Sequence, residues 1–476
     1  MTAARQMPAV SRAWLWGALA IAVAGFALIA SAYWPGVMID DARWQYQQAV
    51  DNAFEDWHPP IMAWVWRQLM LRVAPGPGPM LIVQLLFYWG GFALLAGWAW
   101  RRGRPKLAVA LACCGWIPAP LALGGTVIKD VWMAGCLICA TGLVLWRDGV
   151  RSGVSRILFT AAAALALLIA AALRLNAIFA CLPLALATAP RAFTRTWPRW
   201  IATAVCAALP LVAIGPAINA AVQADNTDVQ LSLIIFDLGG ITKHSRLSAF
   251  PDMGVKDPVA VNDRCYDPSE WDNYSDWAPK PCPLGFDRMQ PMVDDEDFDP
   301  RSVWIHAILA HPLAYAEHRL IHYNLETWLI VPRGPPFTAW SQAVDNPWHV
   351  RVQPNPVLRA VTTVADTAGA TPLGWPFFWI SVALAALVVA LAARLSAVAQ
   401  AVAASAFLYG AGYAVVGVAA GMRYYVWTIS GAAIAAVLVI GELRARRSRL
   451  GRSVTTLAAA IVLVPLAIGI GARLSG

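Results

Sequence analysis

The interior of a lipid bilayer holds no water, so a chain made of long apolar stretches can span it only as helices or as a closed barrel. This sequence carries such stretches near residues 14–34, 79–100, 107–124, 127–146, 157–173, 175–189, 200–221, 372–393, 396–419, 424–441 and 454–473. Most approach the roughly 20 residues a helix needs to cross about 30 Å of hydrocarbon. They predict an all-α polytopic membrane protein with about 11 transmembrane helices. A 59% hydrophobic and 13% charged composition excludes a large soluble core as the main architecture. The first stretch has no small-residue cleavage site ahead of a soluble domain and reads as an uncleaved anchor.

The net charge of +8 does not indicate nucleic acid, because the basic residues fall in short clusters between spans. Those clusters are Arg5/Arg12, Arg101/Arg102/Arg104/Lys106, Arg147/Arg151/Arg156, Arg191/Arg195/Arg199 and Arg444/Arg446/Arg447/Arg449/Arg452. With 11 crossings they share one face, and an excess of Lys and Arg marks the cytoplasmic face. The N-terminus is then cytoplasmic. A crossing by Ile61 to Leu71 would invert every later cluster, and the stretch is short, so it reads as an interfacial helix carrying Trp64, Trp66 and Arg67.

Three regions follow: a transmembrane module over 1–222 with a first external loop at 35–79, an external loop domain over 223–371, and C-terminal transmembrane helices over 372–476. In the second, Ser302 to Val331 has helical periodicity and Pro332 to Pro336 is a breaker. Cys265 and Cys282 are the two cysteines outside the spans, and on an oxidising face they favour a disulfide. Cys136 and Cys139 form a C-x-x-C inside an apolar helix, a weak redox or metal signal. Asn273-Tyr274-Ser275 matches a glycosylation acceptor, a pattern common by chance.

The chemistry gathers on the external face. Asp40 and Asp41 follow the first span, and Glu55-Asp56-Trp57-His58-Pro59-Pro60 comes shortly after. Carboxylates beside hydrocarbon are costly unless something uses them. Lys129, Asp130, Arg174, Asn176, Arg423 and Tyr424 lie at span ends on the same face. Each has a plain alternative in snorkelling, mutual neutralisation or headgroup contact. Together the cations suit a phosphate at headgroup depth, with Arg as a bidentate fork and Lys as a point charge. The carboxylates suit proton abstraction from an attacking hydroxyl. His318 and His322 share a helix face at i, i+4, with His306, His311, Glu317 and Glu326 nearby, but three converging zinc ligands are not evident. Asp294-Asp295-Glu296-Asp297 reads as a solvated acidic turn.

Asp41-Ala42-Arg43-Trp44-Gln45-Tyr46-Gln47-Gln48-Ala49, followed by Asp56-Trp57-His58-Pro59-Pro60, resembles a D-S-x-x-Q-x-x-Q-A…D-W-H-P-P pattern. That pattern belongs to bacterial members of the GT-C integral-membrane glycosyltransferases, a superfamily that includes protein O-mannosyltransferases and lipid A aminoarabinose transferases. The likeness covers the first seven spans and their loops. Ala42 replaces the family's small polar residue, which leaves the choice between Asp40 and Asp41 open. The resemblance implies a GT-C-like helical bundle with interfacial helices in the first external loop and a small external loop domain. It implies an inverting transfer from a polyprenyl-phosphate-linked sugar, hexosyl or pentosyl, to a cell-envelope glycan, lipid or protein on the periplasmic side of a bacterial inner membrane.

In that scheme Asp41 or Asp40 is the base. Asp56, His58, Gln45, Gln48 and Trp57 support it or meet the acceptor. Lys129, Arg174, Asn176, Arg423 and Tyr424 hold the donor phosphate. Trp57, Trp271 and Trp277 suit stacking on sugar. No resident cofactor is implied, although a divalent metal at Asp40 and Asp41 stays open. Two other classes compete: a transporter or flippase of lipid-linked sugars, which would show repeated halves, and a polysaccharide ligase or polymerase. No repeated halves are evident, and the early Asp pair favours the transferase.

Overall fold

Apolar stretches continue as single helices, and an internal proline removes one backbone hydrogen bond without always ending the helix: Trp197–Val222 runs through Pro210 and Pro216, and Arg452–Ser475 through Pro465. The computed structural model describes residues 11–295, 298–331 and 339–475, which are helical with isolated β-bridges. Arg5, the pair Glu296 and Asp297, and the Pro332 to Pro336 breaker lie outside the described residues, as does the side chain of Arg191.

Among the described residues, eight helices are long and apolar enough to cross a membrane: Arg12–Tyr33, Gly78–Arg101, Lys129–Arg147, Gly153–Leu173, Trp197–Val222, Ala397–Val416, Met422–Arg446 and Arg452–Ser475. The protein is a multi-pass membrane protein. Three further expected spans are shorter apolar helices, Pro105–Trp116, Leu175–Thr188 and Pro376–Ala392. The 107–124 stretch is split because Pro118 forces Ile117 into an extended conformation (ψ 127°), and a separate short helix, Pro118–Leu123, follows. Ile61–Arg72 is a 12-residue helix, too short to cross.

The chain divides into two compact units. The first comprises 1–225, 335–410 and 423–466; the second comprises 226–334, 411–422 and 467–476. These boundaries differ from the expected 1–222, 223–371 and 372–476. Residues 339–371 belong with the long helices, because the amphipathic helix Pro356–Gly369 lays Leu358, Val361, Ala365 and Ala368 into their core.

Within the first unit, a short backbone splice sets the site. Val37 N–H donates to Gly125 C=O (3.0 Å) and Val127 N–H to Val37 C=O (2.9 Å). This fixes the segment that starts the Asp40–Asp51 helix beside the one that starts the Lys129–Arg147 helix. A side chain at Gly125 would overlap the Tyr33 ring, so the splice needs glycine there. Buried Gln84 holds the loop from the other side. Its Nε2 donates to Gly124 C=O (2.9 Å) and Thr126 C=O (2.8 Å), while its Oε1 accepts from Ile128 N–H (3.3 Å). At the far end of the Asp40–Asp51 helix, Arg67 donates to the Ala49 carbonyl (3.0 Å), and Asn52 takes the left-handed conformation (φ 55°) that stops it. Tyr46 packs against Trp66 and Trp348 with ring centroids 5.0 and 4.6 Å away.

The second unit is built on Gln230–Ser245, Pro258–Cys265, Pro300–Ala310 and Pro312–Thr327. The expected helix over 302–331 is two helices, broken where Pro312 follows His311. Cys265 and Cys282 are disulfide-bonded, with Cα atoms 5.9 Å apart. Asp237, wholly buried, receives Arg319 Nη2 (2.6 Å) and Trp304 Nε1 (2.8 Å). Arg319 also donates to the Gly417 carbonyl (2.6 Å), and Trp271 N–H donates to Val418 C=O (2.9 Å). A buried ion pair of this kind organises the unit's interior, since either charge alone would be costly there.

Replacing Gln84 by Leu keeps the volume but leaves two buried carbonyls and an amide without their partner. We expect a loss of about 3 kcal/mol, seen as a lower melting temperature in detergent. An unchanged melting temperature would show that the loop does not depend on this side chain.

Candidate active site

A helix beginning on two aspartates points successive side chains about 100° apart. Asp40 and Asp41 therefore separate. Asp40 is exposed and, among the described residues, pairs only with Arg43, one turn on (3.3 Å). Asp41 turns inward, with 19% of its side chain accessible. Three groups converge on its Oδ2: Arg423 Nη1 at 2.9 Å, His58 Nε2 at 3.6 Å and Lys129 Nζ at 3.8 Å. Acidic residues in a helix's first turn also meet its positive dipole end.

His58 bridges the group. Lys129 Nζ lies 2.6 Å from His58 Nδ1. An ammonium can only donate, so Nδ1 accepts and the ring is neutral with its proton on Nε2, toward Asp41. Burial and the neighbouring Lys129 push the imidazole down to about 3, and Asp41 offsets only part of this. Burial alone would raise the Asp41 carboxyl, but Arg423, His58 and Lys129 together hold it well below the usual carboxylate range.

A second layer continues behind. Asp130, 1% exposed, is ion-paired with Arg174, and its Oδ2 lacks a hydrogen bond among the described residues. Tyr424 lies between two guanidinium groups: Arg174 Cζ is 4.7 Å and Arg423 Cζ 5.0 Å from its ring centroid. Its hydroxyl accepts from Arg423 Nη2 (3.1 Å). With His58 neutral, three cations face two carboxylates, leaving one positive charge in excess at the outer ends of these helices. That surplus suits an anion.

The remaining expected residues are placed as follows. Gln45, 1% exposed, donates from Nε2 to its own helix at Asp41 C=O (3.1 Å), and its Oε1 lacks a hydrogen bond among the described residues. Gln48 Oε1 accepts from Glu55 N–H (3.4 Å), so it shapes the first loop. Asp56 N–H donates to Asp225 C=O (3.0 Å), and its carboxylate accepts from Asn219 (3.4 Å). The cluster around Asp41 does not include it. Trp57 is half-buried beside His58 in the sequence. Asn176 sits in the turn Leu175–Ala177 after Arg174, half-buried. Trp271 and Trp277 lie edge to face at 5.3 Å in the second unit.

The donor set does not fit a divalent metal. Asp40 faces away from Asp41, and the inward oxygen of Asp41 already carries three basic groups. Among the described residues no cluster of His, Cys, Asp and Glu suits a metal ion. His318 and His322 do lie on one helix face, but each has another partner. His318 accepts at Nδ1 from the Tyr266 hydroxyl (2.9 Å) and turns Nε2 to Asp237 (3.3 Å); His322 Nδ1 donates to Pro268 C=O (2.8 Å). His306 is exposed and bonds within its own helix turn, to Ser302. Sequence reading passed over Gln84 and Asp237. The only signals were a lone Gln in an apolar span and a lone Asp in an apolar helix.

No family model matches the chain, and no curated protein matches it. Among solved structures it is similar to ArnT from Cupriavidus metallidurans bound to undecaprenyl phosphate, at 15% identity over 91% of this chain and 78% of that one, with a TM-score of 0.34. It is also similar to the archaeal oligosaccharyltransferase AglB from Archaeoglobus fulgidus in complex with an inhibitory peptide and a dolichol-phosphate. That match has 12% identity over 96% of this chain and 56% of that one, with a TM-score of 0.39. The chain thus spans about half the length of AglB.

His58 gives a measurable sign. Its folded value lies below its ordinary 6.5, so between about pH 6.5 and 3 the unfolded chain binds a proton the native state refuses. Stability must fall as pH drops through that window. Melting curves of wild type and His58→Gln from pH 7 to 4 should diverge in slope, the variant being flatter. Parallel slopes would mean the imidazole titrates normally.

Proposed function

We propose that this protein is a GT-C-type inverting glycosyltransferase. It moves a sugar from a polyprenyl-phosphate-linked donor to a hydroxyl acceptor at the outer face of a bacterial inner membrane. The observation that carries this reading is the convergence of Arg423, Lys129 and His58 on one oxygen of Asp41, with one positive charge in excess. The basic clusters on the opposite loops support an outward-facing site and a cytoplasmic N-terminus.

Asp41, held well below the usual carboxylate range, is a poor base while three basic groups surround it. A donor phosphate arriving among the cations competes for Arg423 and Lys129. As they turn to phosphate, Asp41 loses its neutralising partners and its proton affinity rises. Donor binding thereby switches on the base. Asp41 then takes the proton from the acceptor hydroxyl, whose oxygen attacks the anomeric carbon. The bond from that carbon to the phosphate oxygen breaks, and polyprenyl phosphate leaves with the bonding pair. A single displacement inverts the anomeric centre. Arg423, Arg174 and Lys129 stabilise the charge that grows on the leaving phosphate. His58 positions Lys129 and Asp41. The acceptor class is a cell-envelope glycan, lipid or protein, and a transfer that proceeds in this way needs no metal.

Asp41→Asn should insert and fold yet lose transfer by about 10² or more, the scale of general-base loss. Asp40→Asn should stay near wild type. Donor affinity should fall in the order Arg423, Arg423→Lys, Arg423→Ala, because Lys lacks the bidentate fork. Activity in the Asp41 variant equal to that of the Asp40 variant, or equal donor affinity across the Arg423 series, would reject these roles.

A further inference from the structure

The helix Lys129–Arg147 has 19 residues and so spans roughly 28 Å, close to a bilayer's hydrocarbon thickness. Lys129 stands at one end; at the other is a second basic site that the transfer chemistry does not use. Between the turn after Gly78–Arg101 and the turn after Lys129–Arg147 opens a cavity of about 650 Å³. Its lining includes Arg101, Arg102, Arg151 and Arg156, walled by Trp98 and Trp146.

Snorkelling arginines at a helix end would reach separately into water. Here two are fixed on indole rings: Arg101 Cζ lies 4.8 Å over Trp146, and Arg102 Cζ lies 6.0 Å from the Trp98 ring centroid. A stacked guanidinium keeps in-plane N–H groups available to a planar or tetrahedral anion, although Arg102 Nη2 also donates to the Asp148 carbonyl (3.5 Å). Asp148 is the one acid in the lining, and its carboxylate is taken by Arg147 (3.5 Å), which also donates to Thr188 C=O (2.7 Å). Among the described residues no carboxylate lies in ion-pair range of Arg101, Arg102, Arg151 or Arg156. Four uncompensated guanidiniums around one aromatic-walled cavity make a strong anion field, and basic pockets between membrane helices suit phosphate headgroups.

We propose that this cavity is a binding site for a phosphate-bearing anion at the face opposite Asp41, filled by the headgroup of an anionic membrane lipid. The site is independent of the transferase reading, since none of its residues touches the Asp41 cluster.

The test uses the full-length protein in nanodiscs of mixed phosphatidylglycerol and phosphatidylcholine, with the lipid retained after detergent extraction measured by native mass spectrometry. Wild type should retain phosphatidylglycerol in preference to phosphatidylcholine. The double variant Arg151→Gln/Arg156→Gln should lose about tenfold or more of that preference. Arg444→Gln/Arg449→Gln, which removes the same charge from another basic loop, should keep it. Inorganic phosphate is titrated in parallel into protein in phosphatidylcholine alone. Phosphate binding that the first double variant loses, without any lipid preference, keeps the site and assigns it to a water-soluble phosphate. Equal retention of both lipids with no phosphate binding, or equal loss in the two double variants, overturns it.

Discussion

The structure depends on one electrostatic constraint. Charges held beside hydrocarbon must be compensated at short range, because neither water nor a long-range field will do it. Lys129, 7% exposed, and Asp130, 1% exposed, begin a transmembrane helix. Each is answered by a residue distant in sequence: Asp41 and His58 for the first, Arg174 for the second. Arg423 closes the set from near the C-terminal end of the chain. Four helix ends are therefore tied by charge, and the backbone splice at Val37 and Gly125 holds the two that matter most in register.

This arrangement also explains why the site can respond to an anion. A cluster of matched charges would gain little from one. Here the surplus of one positive charge sits around a carboxylate that has more partners than it needs. An incoming phosphate can draw Arg423 and Lys129 off, which leaves Asp41 with the neutral His58 and its access to solvent but without the charges that suppress its proton affinity.

The span pattern was legible because apolar length is a property of local sequence, but the break at Pro118 was not read: 107–124 passes as one span on hydropathy, and the proline's effect on the backbone of Ile117 splits it. Asp40 and Asp41 were not separable in the sequence; a helix start 100° per residue separates them, and the position of that start comes from the Val37 splice. Gln84 was illegible because a buried amide's value depends on which backbone groups meet it, here some 40 residues on. Asp237 was missed for the same reason, its partners lying 67 and more residues away. The i, i+4 spacing of His318 and His322 was visible, but the shared face serves a buried hydrogen-bond network rather than a metal.

The most direct measurement is to incubate purified protein in liposomes with a polyprenyl-phosphate-linked sugar and a hydroxyl acceptor, following the donor by mass spectrometry. Cleavage to free polyprenyl phosphate, with the sugar appearing on the acceptor in inverted configuration, is the predicted result. Donor that crosses the bilayer chemically intact, with no polyprenyl phosphate released, would contradict it and make the protein a transporter of lipid-linked sugar.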